Sequence, residues 1–164
     1  KPGEIGQMIV KGPNGCRYLD DIERQKAYIR DGWNLSGDLC RWEEGGYIAY
    51  EARTDDMILT SGYNVSGLEI EAVLLEHESV GECAVVGSPD PNRGQIVKAF
   101  IQLKNGVEQQ DTLVADLQNF VKSQISAFKY PRAIEFVDEL PHTATGKIQR
   151  GALRQLERER AEKE

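Results

Sequence analysis

The chain has 164 residues, with 20 Lys plus Arg against 27 Asp plus Glu and a formal charge of −7. An apolar fraction of 40% beside 29% charged residues excludes the composition of a disordered chain. The acidic balance argues against a general nucleic-acid or anionic-membrane binder, and no apolar run approaches the roughly 20 residues of a membrane-spanning helix.

The length suits one domain, or one domain with a piece of another, and suffices for a core without metal or disulfide support. Lys1-Pro2-Gly3 is not read as a native start, and no signal peptide is expected. Cys16, Cys40 and Cys83 are odd in number, widely spaced and without a C-x-x-C pair. They point to a reducing compartment, with a cytoplasmic location expected, and against a zinc site or a disulfide framework.

In chain order, Ile5, Met8, Ile9 and Val10 predict a strand over 4–11, closed by Gly12-Pro13. Residues 20–28 are short and charged, enough for a helical turn or two. Stretches 39–42 and 47–50 flank Glu43-Glu44-Gly45-Gly46 as a hairpin. Two short strands, 57–59 and 63–65, surround Ser61-Gly62. Ser66-Gly67-Leu68-Glu69 reads as a capping box opening a helix with Ile70, Val73, Leu74 and His77 on one face. Residues 82–86 read as a buried strand. Val97, Ala99, Ile101 and Leu103 then alternate with Lys98, Phe100, Gln102 and Lys104, which puts Phe100 on the polar side. Leu113, Leu117, Phe120, Val121 and Ile125 form a helical stripe after Asp111-Thr112. A strand over 134–137 follows Tyr130-Pro131, and a charged helix starts at Arg150 with only Leu153 and Leu156 as apolar anchors, so its tip is expected to fray.

Short strands and helices mix here without the regular alternation of a doubly wound sheet. The fold class is therefore α+β: a small mixed sheet covered by helices over 54–164. Residues 1–53 are mostly β, with too little apolar mass for a domain of their own, and are read as the tail of a larger one.

Four segments carry candidate chemistry: Trp33-Asn34-Leu35-Ser36-Gly37-Asp38, Arg53-Thr54-Asp55-Asp56, Ser61-Gly62-Tyr63-Asn64 and Pro141-His142-Thr143-Ala144-Thr145-Gly146-Lys147-Ile148-Gln149-Arg150. Singly, each is commoner as a turn or a solvated charge cluster. The last is not a P-loop, because Ile148 stands where a P-loop needs Ser or Thr.

In this order and spacing, the segments resemble the C-terminal end of the AMP-forming acyl-CoA synthetases, the adenylate-forming superfamily, along the whole chain. Residues 33–38 look like W-x-x-[ST]-G-D. Residues 53–71 look like R-x-D-D-x-I-x-x-x-G-x-x-[IV]-x-x-x-E-[IV]-E, and 141–150 like P-x-x-x-x-G-K-x-x-R. Phe128-Lys129-Tyr130-Pro131-Arg132 and the segment after Thr143 are most similar to aromatic-acid and medium-chain CoA ligases. Ala52 and Ser61-Gly62-Tyr63-Asn64 bring the 2-aminobenzoate–CoA ligases nearest.

The resemblance implies two steps. A carboxylate attacks the α-phosphate of ATP to give an acyl-adenylate and pyrophosphate; the CoA thiol then displaces AMP. Two unit charges about 4 Å apart at an effective dielectric near 20 repel by roughly 4 kcal/mol, which a cation between them offsets. Lys147 matches the catalytic lysine, Asp38 the acid that holds the ribose diol, and Arg53 the base that contacts ribose or phosphate. Asp55 matches the hinge between a large N-terminal domain ending near residue 53 and a mobile domain over 54–164. Ser61, Gly62 and Tyr63 match the face that receives CoA.

ATP with Mg2+ and CoA are the implied cofactors, with the Mg2+ ligands outside this chain and no metal ligands within it. The implied partners are the preceding domain of the same chain and a small carboxylic acid, such as 2-aminobenzoate or benzoate, with no nucleic acid and no membrane. The chain alone is expected to be inactive. Leu59, Asn64 and His142 stand where relatives often carry Lys or Arg. His142 is read as a surface residue and His77 as part of a helix face; Asp90, Arg93 and Lys98 are read as facing water, the alternative being CoA phosphate contacts. Trp33 and Trp42 are read as core of the preceding domain. Two further readings stay open: a domain that loads a carrier-protein thiol, and a non-catalytic module that keeps the fold.

Overall fold

The computed structural model describes residues 1–13, 15 and 17–163, which form two compact units, Lys1–Asp55 and Asp56–Glu164. In the first, a ten-residue strand β3 (Trp33–Trp42) pairs antiparallel with β1 (Ile5–Val10) and with the two-residue β2 (Ile29–Arg30). Strand β4 (Ile48–Arg53) pairs with β3 through Glu43-Glu44-Gly45-Gly46. The short helix α1 (Ile22–Tyr28) begins where the Asp21 carboxylate accepts a hydrogen bond from Arg24 N, 3.0 Å. Only Ala52 of this unit is a buried apolar residue among the described residues. Ile5, Ile22, Trp42 and Ile48 all face solvent, with Trp42 57% exposed.

The second unit opens with the hairpin β5 (Met57–Thr60) and β6 (Tyr63–Ser66) and helix α2 (Gly67–Leu75). Its main sheet is β7 (Val80–Asp90) against β8 (Gly94–Leu103), antiparallel, with β9 (Ala133–Phe136) added parallel on the far side of β8. Helices α3 (Leu113–Gln124) and α4 (Arg150–Ala161) complete it. This is the small mixed α+β sheet that the hydrophobic pattern predicts.

The sheet is covered on both faces. Cys83, Val85, Val97, Ala99 and Ile101 point to a core with Ile58, Val65, Ile70 and Leu74 and with Leu113, Leu117 and Val121 of α3. Ala84, Val86 and Phe100 point the other way, to a smaller core with Leu140 and Leu153, lined by Val137 and Ile148. Phe100, 1% exposed, thus fills the centre of a second apolar cluster instead of standing on a polar face. Strand alternation reports which residues share a side, not whether that side is wet. The same face corrects the reading of Lys98. Its ammonium does not face water; it bonds Glu157 and Glu135, each at 2.8 Å, in a largely buried position.

Two other expectations change. Ser66 caps α2 by position, yet makes no side-chain cap hydrogen bond, and both Glu69 oxygens are taken by Lys129 Nζ at 2.7 Å. An ion pair between ammonium and carboxylate wins over the carboxylate's bond to a neutral backbone N–H in a capping box. In α4, Leu153 is buried but Leu156 is 38% exposed; the second inward residue is Glu157. Its carboxylate accepts from Ser88 Oγ (2.6 Å), Lys98 Nζ (2.8 Å) and Arg160 Nη1 (2.9 Å).

Burial alone would push the Glu157 carboxyl up, but the hydrogen bonds from Lys98 and Ser88 overcome it and hold its pKa below the ordinary 4.5. A carboxyl depressed in this way stabilises the fold at pH above its unfolded pKa. That contribution is lost as pH falls through the folded value. Acid unfolding followed by circular dichroism is therefore expected to be steeper below about pH 4.5 in the native chain than in Glu157→Gln. Equal slopes would contradict this role for Glu157.

Candidate active-site segments

In the first unit, Asp38 and Arg53 stand opposite each other in the β3–β4 register. Arg53 Nη1 donates to Asp38 Oδ1 at 3.3 Å, and its Nε lies 3.5 Å from Asp55 Oδ1. Fifteen residues apart in sequence, the two motif residues meet because β4 folds back on β3. Gly37, at φ +77°, lets the guanidinium lie close: a Cβ there would sit 2.8 Å from Arg53 Nη2. Ser36 Oγ donates to Met8 O (2.9 Å) and accepts from Asp38 N (3.1 Å), which fixes the strand under the carboxylate. Arg53 occupies only Oδ1 of Asp38 among the described residues. Asp38 Oδ2 thus stays available as an acceptor, as a hydroxyl pair requires.

In the second unit, Ser61 (φ +50°) and Gly62 (φ +84°) form the two-residue loop between Thr60 and Tyr63. Positive φ at both central residues is the hairpin turn that suits strand twist. Arg93, from the β7–β8 turn, grips this loop twice: Ser61 N donates to Arg93 O (3.2 Å) and Arg93 Nη1 to Ser61 Oγ (3.0 Å). Arg93 is therefore engaged with protein and does not simply face water. Nothing lies within 4 Å of a Cβ built on Gly62. Tyr63, 58% exposed, packs on Phe128 with ring centroids 4.9 Å apart, which joins the Ser61 loop to the segment ahead of Pro131.

Lys147 lies on a tight hairpin. His142 pairs with Ile148 across it, Thr143 N donates to Lys147 O (2.8 Å) and Lys147 N to Thr143 Oγ1 (3.0 Å), with Gly146 at φ +79° in the turn. Ile148 is held in the smaller core. The Lys147 side chain is exposed, and its ammonium forms no hydrogen bond or ion pair among the described residues. The hairpin is stiff at its base and carries a free cation at its tip. No bond links it to the Ser61 loop among the described residues, so Lys147 and Ser61-Gly62-Tyr63 are separate features of one unit.

His142 is half-buried rather than a plain surface residue: its Nε2 meets Glu82 Oε1 at 2.9 Å, and that bond raises its pKa. His77 lies past the end of α2, edge-on to Phe120, with Nδ1 accepting from Ser79 N. Cys40 and Cys83 are free thiols, and burial, followed by the charge of Glu71, pushes Cys83 up to about 12; Cys16 lies outside the described residues. No group of three or more His, Cys, Asp or Glu side chains is placed to hold a metal ion among the described residues.

Sequence reasoning gave no role to Glu71 and Arg150, although both stand in the quoted motifs. Arg150 Nε donates to Glu71 Oε1 (2.8 Å) and its Nη2 to Glu71 Oε2, while Val85 N donates to the same Oε1 at 2.8 Å. The signal was the charge itself: an acid and a base at fixed motif positions, with Glu71 set between Ile70 and Ala72.

The AMP-binding enzyme C-terminal domain model matches residues 69–147. The chain is 47% identical over 160 residues to an uncharacterized acyl–CoA ligase, YtcI, of Bacillus subtilis, covering 96% of this chain and 30% of that protein. It is 43% identical to the mitochondrial acyl-coenzyme A synthetase ACSM4 of Rattus norvegicus, covering 98% of this chain and 29% of that one. Among solved structures, the anthranilate CoA ligase AuaEII in complex with anthranoyl-AMP superposes with a TM-score of 0.80 at 38% identity, over 95% of this chain and 30% of that one. The chain thus spans about 30% of the length of the proteins it matches. Residues 69–147 thus match the AMP-binding enzyme C-terminal domain, and the chain's homologues are acyl-CoA synthetases and ligases.

Proposed function

We propose that this chain is the C-terminal part of an ATP-dependent acid–CoA ligase, which makes acyl-CoA, AMP and pyrophosphate from a carboxylic acid, ATP and CoA. The observation that carries this is the Lys147 ammonium, exposed and without a protein partner among the described residues, on a braced hairpin. Such a cation serves a charge that arrives from elsewhere. In adenylate formation the carboxylate and the α-phosphate must meet, and an ammonium between them offsets their repulsion as charge builds in the transition state. A compact point charge on a flexible stem suits entry and withdrawal; a planar guanidinium does not.

Asp38, with one oxygen on Arg53 and the other without a partner among the described residues, receives the ribose diol, and Arg53 adds positive charge at its edge. Residues 1–53 belong to the end of the large nucleotide-binding domain, and 54–164 form a mobile domain that turns near Asp55 between a Lys147 face and a Ser61-Gly62-Tyr63 face. Mg2+ travels with ATP, and its protein ligands lie outside this chain. The acid is an aromatic one such as 2-aminobenzoate or benzoate; the Phe128–Pro131 segment and the likeness to an anthranilate CoA ligase support this. A reducing, cytoplasmic setting suits the free thiols. No described helix is long and apolar enough to cross a membrane.

Gly62→Leu in the full-length enzyme tests the CoA face. Open space around Gly62 means that only backbone strain, about 1–2 kcal/mol at positive φ, opposes the change inside the protein. Thioester formation from supplied acyl-adenylate and CoA is expected to fall by ~100-fold or more, with adenylate formation retained. Unimpaired thioester formation would remove the CoA face. Thioester appearing on a carrier protein in place of CoA would select the carrier-loading alternative.

A further inference from the structure

The Lys147 hairpin is gripped at both roots by carboxylates from other elements. At entry, His142 meets Glu82 of β7; at exit, Arg150 meets Glu71 of α2. The exit grip is the stronger. Glu71 is 5% exposed, and its two oxygens receive both arms of the Arg150 fork. The Val85 N–H completes it, so a single carboxylate joins α2, the middle of β7 and the first residue of α4.

Stability alone does not explain such a pair. Removing two charges from water costs several kcal/mol per ion, and apolar residues of similar volume often serve a core as well or better. What a bidentate arginine–carboxylate pair adds is direction, because two parallel bonds fix both position and plane. Arg150 is three residues beyond Lys147, and three residues of chain reach at most ~10 Å. An error in the plane of Arg150 therefore passes to Lys147 with little slack. Between them, Ile148 is packed in the smaller core and Gln149 N donates to Pro141 O (2.7 Å), which stiffens the link.

We propose that Glu71, acting through Arg150, is a positioning residue that sets where the Lys147 ammonium is delivered. This rests on the role of Lys147 proposed above, and one experiment separates the two. The two half-reactions and the thermal midpoint are measured in full-length Arg150→Lys, Glu71→Gln and Lys147→Ala. Arg150→Lys keeps the charge and loses the fork, and Glu71→Gln keeps an acceptor for Val85 N–H and loses the charge.

Both variants are expected to slow adenylate formation by ~10-fold or more while thioester formation from supplied acyl-adenylate stays within about twofold. The slowing is read in kcat, with KM for ATP little changed, because the ground-state contacts lie elsewhere. If Lys147→Ala abolishes adenylate formation while both variants match the native rate, the positioning role is overturned and the lysine's role stands. If Lys147→Ala itself adenylates normally, the reading beneath it fails. Equal slowing of both half-reactions, or loss of the fold in both variants, assigns Glu71 to the scaffold alone and also overturns the proposal.

Discussion

Replacing Phe100 by Ala is expected to destabilise the Asp56–Glu164 unit by about 3–5 kcal/mol. Phe100 is 1% exposed at the centre of the smaller core, touching the apolar faces of β7 and α4 through Ala84, Val86 and Leu153. Its removal leaves a void under Leu140 and Ile148, the residues that seat the two ends of the Lys147 hairpin. The ring also lies 4.9 Å from Lys98 Nζ, so truncation strips one wall from the ion cluster around Glu157. Urea unfolding read by amide exchange in β7 and β8 measures the loss. Both tryptophans lie in the other unit, so their fluorescence is expected to change little. A destabilisation under about 0.5 kcal/mol, the range for an exposed site, would contradict the two-sided core.

In the full-length enzyme, Lys147→Ala is expected to cut adenylate formation by about 10³-fold. That follows from roughly 4 kcal/mol of repulsion between carboxylate and phosphate, at 1.36 kcal/mol per tenfold. Lys147→Arg is expected to recover little, because the wider, planar group does not occupy the same point. The fold is expected to be unaffected: the ammonium has no protein partner among the described residues, while the hairpin is held by backbone bonds, Thr143 Oγ1 and Ile148. Pyrophosphate release with a supplied acid measures the first half-reaction. A loss of less than tenfold would contradict direct charge stabilisation.

The strands, helices and motif segments were legible because they depend on local periodicity and turn chemistry. Ser61-Gly62 between two β-prone stretches announced its hairpin, and Gly146 before Lys147 its turn. What escaped were long-range charges. On α4, Arg150, Leu153, Arg154 and Glu157 share the inward face, and three of the four are charged. Hydrophobicity puts such residues in water; they are inside because Glu71, Asp56 and Lys98, 79, 98 and 59 residues away, meet them. The same long-range pairing took Glu69 from its expected cap, since Lys129 stands 60 residues off. A helix-by-helix reading holds no information on these partners. The motifs did mark their positions, and at Glu71 and Arg150 the marked residues proved to be joined.

Single-turnover rates of the two half-reactions, measured side by side in full-length Lys147→Ala and Gly62→Leu, test the two-face account most directly. Opposite losses are expected: adenylate formation fails in Lys147→Ala with thioester formation spared, and the reverse holds in Gly62→Leu. Parallel losses of both half-reactions in both variants would contradict it.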